Sequence, residues 1–174
     1  MDAKPRGGDL VSYAEVIGRF YEDLGLPRTW GRVLGWLLVC EPDHQSAEEL
    51  ASILHASRGS ISMATRSLIR MGSVERQTLP GDRRTYYRIR PGAWTAVFEQ
   101  QTQTVTKLRQ LALQGLDLLH DEPPERRTRL TELCELTTFY ERESRALTAR
   151  WNGRNGHDQY SSPASFDPSP PATL

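Results

Sequence analysis

The chain has 174 residues, a formal net charge of zero and only two cysteines, a length that fits one core-forming domain with a helical extension. No apolar run reaches the roughly 18–20 residues needed to cross a bilayer. The opening MDAKPRGGDL lacks the apolar stretch of a secretion signal, so the expected compartment is the cytoplasm and no membrane partner is expected.

Cys40 and Cys134 lie far apart and form no CxxC pair, which reads as reduced thiols in a reducing compartment. The neutral total conceals an uneven distribution. Residues 58–90 hold eight arginines against Glu75 and Asp82, a local excess of +6 that the rest of the chain offsets. A solvated face usually mixes both signs. An all-arginine excess is what phosphate contact requires, because each neutralised phosphate releases condensed counterions.

Residues 1–8 are short, polar and glycine-rich and are expected to fray. From Asp9 to Leu24 the apolar positions Leu10, Tyr13, Ala14, Ile17, Phe20, Tyr21 and Leu24 follow helical spacing, with Asp9 as N-cap and Gly25 as stop. Pro27 opens a second helix, RTWGRVLGWLLVC, nearly all apolar and therefore central. Gly31 and Gly35 each cost about 1 kcal/mol of helix propensity, and close approach of another helix is the compensating reason. Glu41-Pro42-Asp43 breaks that helix. Ser46-Ala47-Glu48-Glu49 then forms a capping box that opens a short helix bearing Leu50, Ala51, Ile53 and Leu54. After a turn at His55-Ala56, Ser57 caps a helix to about Met71, which Gly72 ends.

The period then changes. SVERQTL and TYYRIR read as two strands joined by the turn-prone Pro80-Gly81-Asp82-Arg83-Arg84. Beyond Pro91, Trp94, Phe98, Gln101, Val105, Leu108, Ala112, Gly115 and Leu119 alternate by four and three. Pro123-Pro124 interrupts, and Leu130, Leu133, Thr137, Tyr140, Ser144, Leu147 and Trp151 repeat the pattern. Residues 152–174, rich in Pro, Ser, Gly and Asn, are expected to be disordered.

These elements predict a mainly α fold with a small β-hairpin: a winged helix-turn-helix over residues 26–91, flanked by helices at 9–25 and 92–151. Ala51 and Ile61 stand where one helix must be small and the next must pin the crossing. On a helical wheel, Thr65, Leu68 and Ala64 share the Ile61 side. Gly59, Met63, Arg66 and Arg70 face away, with Ser62 and Ser67 at the margins. Gly59 leaves the N-terminal end of this helix bare for approach to phosphate and base edges. Arginine there can make two hydrogen bonds to guanine. Arg83 and Arg84 at the hairpin tip suit a narrow minor groove. Arg76, Arg88 and Arg90 alternate along the strands and suit phosphates at most.

The segments GLPRTWGRVLGWLLVCEP, SAEELASILHASRGSISMATRSLIRMGSVER and PGDRRTYYRI resemble the MarR superfamily of regulators, with the first segment closest to its GbsR-type branch. That resemblance implies recognition by Ser57, Arg58, Gly59, Ser60, Ser62 and Arg66, wing contacts by Arg83 and Arg84, and a homodimer built from the first helix and the helices after Pro91. It also implies a small-molecule effector near the dimer helices. Tyr13, Tyr21, Trp30, Trp36, Trp94 and Phe98 are the aromatics available to line such a site, and a quaternary ammonium would suit their faces.

The expected function is therefore sequence-specific binding of double-stranded DNA at an inverted repeat. The rivals are a winged module for protein contact and a DNA binder without sequence preference. Neither an enzyme, a metal nor a cofactor is expected, since the four histidines lack ligand spacing and there is no phosphate loop or nucleophile elbow.

Overall fold

The computed structural model describes residues 7–155. The expectations of a frayed start and a disordered tail fall largely on residues 1–6 and 156–174, outside the described residues. The elements run α1 (Gly7–Asp23), α2 (Arg28–Leu37), β1 (His44–Ser46), α3 (Ala47–Ile53), α4 (Arg58–Arg70), β2 (Val74–Thr78), β3 (Thr85–Ile89), α5 (Ala93–Leu118) and α6 (Pro124–Asn155). The protein is mostly helical with one antiparallel sheet in the order β1-β3-β2. The chain divides into two compact units, one up to Ala93 and one from Trp94.

In the first unit α1 packs across α2 at a contact built from small residues. A Cβ on Gly31 would stand 2.9 Å from Gly18 Cα, and one on Gly35 would stand 3.0 Å from Ala14 Cα. Both glycines predicted to admit a neighbour do so, and their partners are Ala14 and Gly18, buried on α1. Gly25, at φ +76°, turns the chain out of α1. Leu26 N donates to Tyr21 O at 2.9 Å and Gly25 N to Glu22 O at 2.9 Å, which closes the helix end.

The core beneath is Val33, Leu34 and Leu37 of α2, Leu50 and Leu54 around α3, Ile61, Ala64 and Leu68 of α4, and Val74 of β2. Full burial of each large member stabilises by about 1.5–3 kcal/mol. The capping box forms as expected: Glu49 N donates to Ser46 Oγ at 3.2 Å, and Ser46 N donates to Glu49 Oε2 at 2.7 Å.

Several boundaries differ from the expected ones. Gly7 and Gly8 are helical, so Asp9 is not the cap but an acid in the first turn, where a negative charge still complements the helix dipole. At the other end α6 continues through residues 152–155, because adding residues to a formed helix costs little even when their composition is polar. A third strand, β1, pairs with β3 through His44↔Arg88, Gln45↔Tyr87 and Ser46↔Tyr86. Three residues carry no alternation, so only pairing with β3 defines this strand. Ser67, placed at the margin of its helix, is buried, whereas Ser62 is exposed.

In the second unit α6 runs back along α5. The seam holds Ala112, Gly115 against Leu130, Thr137, and an Arg109 Nε–Glu141 Oε2 pair at 3.0 Å. Burial opposes ionisation of Glu141, but Arg109, Thr106 and Arg145 outweigh it and hold the carboxyl below its ordinary range. The heptad positions therefore split. Ala112 and Thr137 lie buried in the seam, while Trp94, Phe98, Leu108, Tyr140, Leu147 and Trp151 stay exposed, joined by Leu111, Leu118, Leu136 and Phe139.

Candidate nucleic-acid interface

Ser57 takes an extended conformation and caps α4, accepting from Ser60 N at 3.1 Å. Its hydroxyl also lies 2.8 Å from that of Ser60. Both serines are thus committed to shaping the helix start. Along α4, Ile61, Ala64, Thr65 and Leu68 are buried, while Gly59, Ser62, Met63, Arg66 and Arg70 are exposed. Arg66 Nε donates to Ser62 O at 3.1 Å, which lays the side chain along the outer face. Arg70 reaches only Ser67 Oγ, at 3.4 Å.

The arginines divide by partner. Arg58 pairs with Glu48 at 3.1 Å, Arg88 with Glu75 at 2.6 Å, and Arg84 with Asp82 at 2.8 Å and Glu49 at 3.6 Å. Among the described residues Arg66, Arg70, Arg76, Arg83 and Arg90 have no carboxylate partner. Arg83 and Arg84, adjacent in sequence and both expected to suit a narrow groove, are separated by the hairpin. Arg84 is clasped by Asp82 and lies 5.1 Å from the centre of the Tyr86 ring, whereas Arg83 is exposed at the tip beside Gly81 at φ +79°.

The clasp is dense. Asp82 accepts from Arg84 Nε and Nη2, from Arg84 N at 2.8 Å and from Tyr86 OH at 2.7 Å. The Arg84 side chain, then its backbone amide, then Tyr86 hold the Asp82 carboxyl far below its ordinary value of 3.8. A depressed carboxylate keeps its contacts above the unfolded value and loses them only as pH falls through the lower folded one. The clasp is accordingly expected to persist throughout the range above pH 3.8. Asp82→Ala should lower the melting temperature only slightly, because the Arg84–Asp82 pair sits at a partly solvated hairpin tip. Specific DNA affinity should fall about two- to tenfold, since the tip must then be ordered on binding; melting and anisotropy titration read the two effects separately.

Gly59 offers a cleaner separation. A Cβ there would meet nothing closer than Ser57 Oγ at 3.9 Å, so Gly59→Ala should fold as well as the parent or better, by up to about 1 kcal/mol. Weakened DNA binding by a variant of undiminished thermal stability is the expected result.

The six aromatics do not form one group. Trp36 is in the core, and Tyr21 and Trp30 pack against it. Burial pushes the Tyr21 phenol up. Tyr13 is exposed on α1, and Trp94 and Phe98 are exposed on α5 in the second unit. The indole N–H groups of Trp30 and Trp36 are buried and have no acceptor among the described residues. Cys40 is buried, and burial pushes its thiol up to about 11, which leaves it unreactive at neutral pH. Among the described residues no cluster of three or more His, Cys, Asp or Glu is placed to hold a metal, and no helix is long and apolar enough to cross a membrane.

A helix-turn-helix followed by an arginine-tipped hairpin defines a winged helix-turn-helix protein. Residues 24–85 match the profile of the MarR family, and residues 92–154 match that of the MmpR5-like MarR family transcriptional regulators. The chain is 42% identical over 158 residues to the HTH-type transcriptional regulator MmpR5 of Mycobacterium tuberculosis, covering 91% of this chain and 94% of that protein. A solved structure described as a transcriptional regulator superposes with a TM-score of 0.75 at 42% identity, covering 84% of this chain and 99% of that one. The chain belongs to the MarR family of DNA-binding transcriptional regulators. The matches are to MmpR5-like members; they do not confirm the GbsR-type branch suggested by residues 25–42.

Proposed function

We propose that this regulator binds an inverted-repeat operator in double-stranded DNA as a homodimer and acts as a repressor. The observation that carries the reading is the exposed outer face of α4, where Arg66 and Arg70 have no carboxylate partner among the described residues and Gly59 leaves the helix start bare. The wing presents Arg83, exposed and likewise without a carboxylate partner among the described residues. Ser57, Arg58, Ser60 and Ser62 shape or flank the helix start, and Arg84 braces the tip. The GbsR-type likeness rests only on the GLPRTWGRVLGWLLVCEP segment.

The division of labour follows. Residues 26–91 read DNA, and α1 with the helices after Pro91 dimerise. Dimerisation is supported by exposed apolar side chains on α1 (Tyr13, Val16, Phe20, Leu24) and on α5 and α6, with Leu111 63% and Leu136 64% exposed. Large apolar side chains left bare along a helix face mark an interaction site. Leu111→Glu with Leu136→Glu is expected to yield a folded monomer by light scattering, and a dimer of unchanged mass would remove this face from the interface. Release by a small-molecule effector is proposed on Trp94 and Phe98, both exposed on α5; Tyr13 is exposed on α1, and Tyr21, Trp30 and Trp36 serve packing.

A two-fold dimer requires recognition helices about 34 Å apart and half-sites about one turn apart. Footprinting across the DNA upstream of the protein's own gene should show one protected span with that internal repeat. A protected span lacking an inverted repeat would count against the dimeric operator.

A further inference from the structure

We propose that Arg32 is the positioning residue that ties the turn between α3 and α4 to α1, so that the presentation of α4 to DNA is set from the N-terminal helix. The inference rests on the DNA-reading role of α4 given above. Arg32 is a charged side chain inside the apolar face of α2, flanked by buried Gly31 and Val33, and its side chain is only 18% exposed. A charge so placed must be paired and hydrogen-bonded.

Both conditions are met by partners on different elements. Arg32 Nε donates to Glu15 Oε1 on α1 at 2.6 Å, and Arg32 Nη2 donates to the carbonyl of Leu54. The other Glu15 oxygen accepts from Arg28 Nη2 at 2.9 Å. Burial would raise the Glu15 carboxyl, but Arg28 and Arg32 together outweigh it and hold it below its ordinary value.

Leu54 is the C-cap of α3, so its carbonyl is one of those a helix end leaves without a partner, and a cation there complements the negative end of the helix. The next residue, His55, is left-handed at φ +47°, and Ala56 N closes the turn on Ala51 O at 3.0 Å. Arg32 therefore grips the peptide unit at which the chain changes direction toward α4. Gly18 supplies the passage: a Cβ there would stand 2.6 Å from Arg32 Cγ. The planar fork of a guanidinium reaches an acceptor on each side, which a lysine ammonium on the same stem does not reproduce.

Glu15 touches no part of the turn in this bridge except through Arg32, and that isolates the mechanism. Glu15→Ala, Glu15→Gln, Arg32→Lys and Arg32→Gln in the full chain would be followed by amide hydrogen exchange without DNA. Anisotropy titrations with the upstream duplex and an unrelated one would accompany them. In Glu15→Ala and both Arg32 variants, exchange at His55 and Ala56 is expected to rise about tenfold, the effect of one charge-assisted hydrogen bond. Affinity for the upstream duplex should fall about five- to tenfold by the same reckoning, with little change for the unrelated one.

Glu15→Gln, which keeps an oxygen acceptor, should recover part of the loss. The double variant Glu15→Ala/Arg32→Gln should be no worse than Arg32→Gln alone. Should Arg32→Gln fail to fold, the Glu15 pair and Arg32→Lys decide the matter. Unchanged turn exchange in folded Glu15→Ala would overturn the proposal, as would accelerated exchange with undiminished specific binding. A parent chain that binds neither duplex would instead defeat the DNA-reading role itself, whatever the exchange shows.

Discussion

Gly31→Ala is expected to lower the melting temperature by about 4–8 °C, with loss of α1 from its place on α2 as the structural result. Residue 31 lies where the two helix backbones touch: an added Cβ meets Gly18 Cα at 2.9 Å and the Ile17 carbonyl carbon at 2.9 Å. Neither obstacle is the movable end of a side chain, so α1 as a whole must shift. Overpacking of this sort costs up to about 3 kcal/mol, and alanine returns about 1 kcal/mol of helix propensity. The net loss of about 2 kcal/mol corresponds to that fall for a chain of this size. Gly8→Ala, whose Cβ would meet nothing within 4 Å, is the control that should melt like the parent. Equal melting of both variants would show that the α1–α2 crossing is looser than described.

Arg66→Ala carries the largest expected effect on recognition. Arg66 is exposed at mid-helix on the outer face of α4, hydrogen-bonded only to its own helix through Ser62 O, so truncation leaves the fold intact. If its guanidinium reads a base edge, the loss is about 1–3 kcal/mol and preference relaxes at one operator position. Binding to a panel of single-base operator variants distinguishes this from phosphate contact, which would weaken every sequence alike and flatten the salt dependence.

Much of this arrangement is legible in the residues, and the parts that are not share a cause. Gly31 and Gly35 announced a close helix crossing, Ser46 with Glu49 a capping box, and the wheel through Ile61 the buried face of α4. Each is a local pattern with a local reason. Gly18 completes the crossing, yet in sequence it sits within an amphipathic helix where one glycine says little; its i+4 spacing from Ala14 is the local pattern that marks it.

The separation of Arg83 from Arg84 depends on which neighbour Asp82 takes. The fate of the heptad positions after Pro91 depends on which face α6 covers. Arg32 is the sharpest case. A lone arginine in an apolar helix implies a buried partner, but nothing along the chain points to Glu15, seventeen residues earlier, or to the carbonyl of Leu54, twenty-two residues later. Pairings across that distance are properties of the packed structure.

The central claim is specific recognition of DNA by α4 and the wing, and fluorescence anisotropy at about 150 mM salt, where non-specific electrostatic binding is weak, tests it most directly. Purified protein would be titrated into duplex from upstream of its own gene and into an unrelated duplex of equal length. Tight binding to the first with far weaker binding to the second, and loss of that difference in Arg66→Ala, is the predicted result. Equal binding to both would make this a DNA protein without sequence preference for that region. Binding to neither would contradict the account and favour a winged module that contacts protein.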